Sequence, residues 1–318
     1  MTTRRLGLGL AVLFALTSCS PGFDEPWEVK DLRVLGGITT PPEFLYTMTP
    51  PKGPLAVHLD FLWADPLAPS VPRAFRVESC ALEQEVTCTD ATRVVLAEGS
   101  AAPGLTGVDL SIPAALIKTS FEADPYQGLL GAAVWLQVLV DDGDGGWVSM
   151  LKSVVISETA GFADKVPNTN PVVDYVALVA DDDSRTSVPV DAQGVWHPDP
   201  DTDYRLLAVM TDASREDYIV PAWDTTITEG KPEGASAIVP LALSEDLNYA
   251  FYCDEGALSV AAKTERDIPV IDLPGQGRFR DQSVTFTSPT EGSGTVWMVI
   301  DDGRGGAAFV VIPFAVAP

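Results

Sequence analysis

Two stretches of this chain carry the same pattern. Val134-Trp-Leu-Gln-Val-Leu-Val-Asp-Asp-Gly-Asp-Gly-Gly146 is one copy, and Val296-Trp-Met-Val-Ile-Asp-Asp-Gly-Arg-Gly-Gly306 is the other. Each runs into a second apolar stretch, 147–156 and 307–316. The offset between the copies is two residues before the Asp-Asp, which keeps strand parity. Leu136, Val138 and Val140 therefore correspond to Val296, Met298 and Ile300, and that shared face is predicted to be core. Asp-Asp-Gly-x-Gly-Gly concentrates residues that tolerate positive φ, so each copy reads as a β-hairpin. Two such hairpins, each closing a strand-rich block, imply two β-sandwiches in tandem.

The rest of the chain agrees. Leu55–Trp63, Ala74–Cys80 and Thr106–Pro113 are β-type runs bounded by Pro, Gly and Asp. Breaks recur every ten or so residues, the spacing of a sandwich rather than of βαβ units. One helix is predicted, over Ala114–Ala123. The expected fold is all-β, two tandem antiparallel β-sandwiches. The expected division is 28–160 for the first, 161–169 for a linker rich in Gly, Pro and Asn, and 170–318 for the second.

Charge and composition exclude several functions. The 318 residues carry 20 Lys+Arg against 45 Asp+Glu, a net charge of −25. Both blocks are acidic, −11 over 19–160 and −16 over 161–318. Nucleic acid is therefore not an expected partner, since phosphate binding needs clustered Lys and Arg. At 46% hydrophobic residues the chain is too apolar to be a disordered acidic tail. No G-x-S-x-G elbow, P-loop, H-E-x-x-H or G-x-G-x-x-G context occurs.

The N-terminus has the layout of an export signal. Arg4-Arg5 precede an eleven-residue apolar run, Leu6–Leu16, then Thr17-Ser18-Cys19. The run is too short for a permanent span, which needs about 20 residues. Leu16-Thr17-Ser18-Cys19 resembles the lipobox of bacterial lipoproteins. The resemblance implies a signal peptide over 1–18, cleavage before Cys19 and acylation of that cysteine. The thioether-linked and N-terminal acyl chains would form a lasting anchor, each buried CH₂ contributing about 0.8 kcal/mol. Ser20 after the cysteine, rather than Asp, implies sorting to the outer membrane in double-membraned bacteria. Residues 19–27 then read as a short tether.

Three cysteines remain. In an oxidising compartment Cys80 and Cys88 are expected to pair, closing a nine-residue loop. Cys253 alternates with Phe251 and reads as a core thiol, with an intermolecular disulfide as the alternative.

The second block resembles PKD-type immunoglobulin-like domains. Leu247-Asn-Tyr-Ala-Phe-Tyr-Cys-Asp-Glu-Gly256-Ala-Leu258 looks like that family's "Leu-x-Tyr-x-Trp…Gly-x-Ile" strand, with Phe251 in place of the usual Trp. Val284–Pro289, Gly292–Val299 and the Asp302-Gly303-x-Gly305-Gly306 turn fit its closing strands. The resemblance covers about the last 70 residues. It implies that the two tandem sandwiches are immunoglobulin-like, each a spacer, adhesive or binding module; a fold by itself does not choose among them.

Candidate chemistry is sparse. Asp141, Asp142 and Asp144 could ligate Ca²⁺, which wants several oxygens. The EF-hand spacing fails, because Gly146 and Ser153 fall at positions five and twelve, and Arg304 replaces the third acid in the other copy. A hairpin loop is the simpler reading. Asp199, Asp201 and Asp203, and Asp181–Asp183, are further acidic clusters that solvated loops explain. His58 reads as a strand residue and His197 as a loop residue. Trp147, Trp196 and Trp223 fall outside core parity and could stack on sugar rings.

The expected function is therefore a lipid-anchored, surface or periplasm-facing protein of non-enzymatic structural, adhesive or scaffolding role. It would bind a membrane through its lipid, and surface proteins or glycans through its sheets. The alternatives are a carbohydrate- or calcium-dependent binding module, and a hydrolase built on a carboxylate pair. No cofactor is expected, calcium being the one candidate ion. Oligomeric state is left open.

Overall fold

The structure is a computed structural model that describes residues 25–47, 49–80, 93–124, 131–159, 165–181, 186–224, 237–265, 270–273, 277–280 and 283–316. The first half contains β1 (Arg33–Thr40), β2 (Glu43–Tyr46), β3 (Leu55–Ala64), β4 (Arg73–Cys80), β5 (Val94–Ala101), β6 (Gly104–Ile112), α1 (Ala114–Ala123), β7 (Ala132–Asp141) and β8 (Trp147–Glu158). They form two sheets, β1-β3-β6 and β2-β8-β7-β4-β5. At Pro41-Pro42 the chain leaves the first sheet and joins the second, where β2 runs parallel to β8. Every other pairing in this half is antiparallel.

The second half contains β9 (Val173–Ala180), β10 (Asp203–Met210), β11 (Asp217–Asp224), β12 (Ala237–Ser244), β13 (Asn248–Cys253), β14 (Ala257–Leu258), β15 (Ala262–Thr264), β16 (Val270–Leu273), β17 (Gly277–Arg280), β18 (Val284–Thr287), β19 (Ser293–Asp301) and β20 (Ala307–Ala315). Its sandwich is β14-β18-β10-β9 over β15-β13-β19-β20, with β11-β12 and β16-β17 as separate hairpins. The parallel edge contact recurs here in reduced form. Trp196 bridges Phe314 in parallel, donating its N–H to the Pro313 carbonyl at 3.0 Å and accepting from Ala315 at 2.8 Å.

The parity read from the repeat is the parity of the fold. Leu136, Val138, Val140, Val296, Met298 and Ile300 are all buried. The first group packs with Leu59, Phe61, Trp63, Val77 and Ile156, and the second with Leu206, Tyr249, Phe251, Cys253 and Phe286. The predicted helix is present over its full span and buries Leu116, Ile117 and Phe121, with Phe121 edge-on to Tyr46 at 5.3 Å. Cys253 is a core thiol, and burial pushes its pKa up to about 12. Cys19 and Cys88 lie outside the described residues, and so does the expected 80–88 pair.

The two sandwiches lie sheet against sheet. Leu35, Leu62 and Ala64 point outward from the first sandwich and meet Trp297, Tyr252, Val299 and Phe309 on the outer face of the second. Gly36 makes the close approach possible: a Cβ there would stand 2.9 Å from both Phe309 and Val299. Two segments read as connectors make packing contacts of their own. The segment read as a tether to residue 27 is docked by that point. Trp27 packs on the second core, its carbonyl accepts from Cys253 N–H at 2.9 Å, and Val29 N–H donates to the Cys253 carbonyl at 2.8 Å. Within the segment read as a linker to residue 169, Asn168 is packed too, only 2% exposed. Local composition marks a break in strand pattern; it does not reveal that the breaking segment is itself packed.

Candidate functional site

The described residues concentrate their buried charge where the β19–β20 turn meets the first sandwich. The two repeat turns have one backbone design. Asp142 Oδ1 accepts from the amides of Asp144 (2.8 Å) and Gly146 (2.9 Å), and Asp302 Oδ1 accepts from Arg304 (2.7 Å) and Gly306 (2.9 Å). Asp141 and Asp301 each cap the following Gly at 2.8 Å. Positive φ at Gly143 and Gly145, and at Gly303 and Gly305, explains the glycines. The backbone N–H groups hold the Asp142 carboxyl below its ordinary range.

The fourth side chains of these turns lead to different places. Asp144 is exposed, whereas Arg304 reaches into the seam between the sandwiches. Its guanidinium donates to Glu245 Oε1 at 2.7 Å, to Glu43 Oε2 at 3.2 Å and to Glu216 Oε2 at 3.5 Å. It also lies 4.1 Å from the centre of the Tyr218 ring. Glu43 belongs to β2 of the first sandwich, and the others belong to the second. Asn168 closes the circuit: its N–H donates to Glu43 at 2.7 Å and its Nδ2 to Asp302 at 2.9 Å. Asn170 repeats the arrangement one step on, bridging the Thr39 carbonyl and the Ala307 N–H. Lys165 stands 3.9 Å from Glu43.

This seam is short of positive charge, and its side chains are largely buried. Burial raises the Glu245 carboxyl to about 7, despite the opposing hydrogen bond from Arg304. Burial also raises Asp302, against the pull of Asn168. The same desolvation pushes the Lys165 and Lys152 ammonium groups down. Chemically the arrangement braces two bodies, since each of these carboxylates is engaged by a partner across or along the seam.

The other candidates are dispersed. Asp141, Asp142 and Asp144 stay on their turn, with the first two occupied by loop amides. Among the described residues no three His, Cys, Asp or Glu side chains converge as a metal-holding group. Asp203 accepts from Thr287 at 2.6 Å, and the Asp199 amide donates to the Tyr204 hydroxyl at 2.7 Å. Asp182 and Asp183 lie outside the described residues. His58 hydrogen-bonds Asp109 at 2.7 Å on an outer sheet face, and His197 contacts Asp191 at 3.1 Å. Trp196 is buried in the second core, so it forms no exposed platform. Trp147 is 43% exposed with Arg76 5.4 Å from its ring centre. The Trp223 side chain lies outside the described residues. No helix among the described residues is long and apolar enough to cross a membrane.

Sequence reasoning passed over Glu43, Glu216, Glu245, Asn168 and Tyr218. The available signal was the Asp144-to-Arg304 difference between otherwise matching turns.

No protein-family model and no curated protein matches the chain. Solved structures resemble it at low identity. Red sea bream transglutaminase matches at 8% identity over 92% of this chain, with a TM-score of 0.24. The fibronectin(III)-like modules of Clostridium thermocellum CbhA match at 9% over 90%, with 0.21, and cover 93% of that chain. The Yersinia pseudotuberculosis adhesin InvE matches at 9% over 89%, with 0.20. The chain spans about a third of the length of the transglutaminase (32%) and 60% of the adhesin. The assignment as immunoglobulin-like β-sandwiches rests on the sheet pairing itself.

Proposed function

We propose that this is an exported, lipid-anchored protein whose two braced sandwiches serve a non-enzymatic structural, adhesive or scaffolding role at the outer membrane. The observation that supports it is the use made of the buried charges. The carboxylates and the guanidinium of the seam hold one sandwich on the other, as a load-bearing spacer or display body requires. The anchor is Cys19, and the docked segment from Trp27 to Val29 leaves a short stretch between lipid and folded body.

The test is fractionation of cells expressing wild type and Cys19→Ala. The variant is expected in the soluble fraction and the wild type with the outer membrane; equal partitioning of the two refutes the anchor. A glycan-binding version is favoured by Trp147, an exposed indole backed by a cation on the five-stranded sheet. Loss of glycan-array signal in Trp147→Ala would support it. Thermal unfolding with Ca²⁺ and with EDTA tests the calcium version, since a bound ion raises the transition temperature.

A further inference from the structure

We propose that the seam is a proton-operated latch: uptake of a proton by the acid cluster around Arg304 seats the two sandwiches on each other, and its release loosens them. The inference does not depend on the lipid anchor or on what the sheets bind.

The charges facing this seam come from six places. The β19–β20 turn supplies Asp301, Asp302 and Arg304. The start of β11 supplies Glu216 and Tyr218, and the turn after β12 supplies Glu245 and Asp246. The β2 strand supplies Glu43, and β8 supplies Lys152 and Glu158. The segment entering the second sandwich supplies Lys165. Carboxylates outnumber cations, and one guanidinium is shared by three of them at 2.7, 3.2 and 3.5 Å. Glu245 is the most enclosed of the three, its side chain 2% exposed against 5% for Glu43 and 17% for Glu216. Like charges crowded in a low-dielectric seam cannot all stay ionised without cost, and the cheapest relief is a proton on the least hydrated member.

Linkage gives the sign. Burial moves the carboxyl of Glu245 from 4.5 when solvated to about 7 in the folded protein. Its stabilisation is fully present below the solvated value and is lost as pH rises through the buried one. Acidification between those limits therefore tightens the seam, although most carboxylates weaken their folds in acid. Lys152 and Lys165 are displaced downward, so their protons move the other way on docking. A charge-removing change at Glu245 separates its share from theirs.

The experiment is hydrogen exchange by mass spectrometry on the full chain from pH 5.5 to 8, corrected for intrinsic exchange rates. The Asn168 amide donates to Glu43 of the first sandwich and the Ala307 amide to Asn170, which in turn bonds Thr39; the amides of β7 and β19 report the cores. In wild type the seam amides are expected to lose protection as pH rises from 5.5 to 7, by up to roughly tenfold per pH unit, one proton's worth. The core amides should keep theirs. In Glu245→Gln the seam amides should be protected, with the slope cut to what Asp302, Lys152 and Lys165 contribute. Seam protection in wild type that is independent of pH overturns the latch. So does a wild-type slope in Glu245→Gln. Should that variant not fold, the wild-type profile still decides, and Glu43→Gln tests the cluster from the opposite sandwich.

Discussion

The two closing hairpins begin from nearly the same sequence and end in different surroundings. On their inner faces, Leu136-Val138-Val140 and Val296-Met298-Ile300 do the same job, each filling the core of its own sandwich. On their outer faces, Gln137 stands where the second copy has Trp297. Trp297 is buried against Leu35, Leu62 and Ala64, while Gln137 faces outward from the five-stranded sheet. At the turns, Asp144 points to water and Arg304 holds three carboxylates. A hairpin can thus keep its backbone design while two side chains, one apolar and one cationic, turn it into a docking element.

Exchanging those side chains tests the contrast. Arg304→Asp, which installs the first turn's residue in the second, leaves Glu43, Glu216 and Glu245 without their shared cation. It is expected to cost about 3–5 kcal/mol, the range for breaking a buried pair. Chemical denaturation should then resolve separate transitions for the sandwiches. A single wild-type-like transition would mean that the seam charges hold nothing together. Trp297→Gln makes the outer face of β19 resemble that of β7. It is expected to cost about 2–3 kcal/mol from lost apolar burial, with both cores intact by near-ultraviolet dichroism.

Smaller effects come from the turns. Asp302→Ala removes two loop hydrogen bonds and the contact to Asn168, for about 2 kcal/mol. Asp142→Ala removes the matching loop bonds at an exposed turn and should cost less. Equal losses would assign the whole effect to the loop and none to the seam. The reverse exchange, Asp144→Arg, should shift stability within about 0.5 kcal/mol, as an exposed substitution does. A destabilisation comparable to that of Arg304→Asp would show that the first turn has a partner of its own.

Much of the fold was legible because its signals are local. β-type runs bounded by Pro, Gly and Asp placed β3, β4 and β6, the repeated pattern placed β7 and β19, and α1 is predicted over its full span. The Asp and Gly positions of the two turns demanded positive φ and amide caps, so the hairpins could be read directly. Cys253 followed from parity with Phe251. Most of the seam was not legible. Glu216 and Glu245 look like ordinary acids among 45, and nothing nearby distinguishes Glu43.

What this sequence determines by itself is which residues are strands, which face of each is greasy, and where the chain must turn. Those depend on backbone dihedrals and on neighbours two to four positions away. Only the tertiary structure decides that Arg304 meets Glu43, 261 positions distant, and that Asn168 bonds the same carboxylate. Contacts of that separation form only after both sandwiches exist, because the surfaces that make them are products of folding rather than of local order.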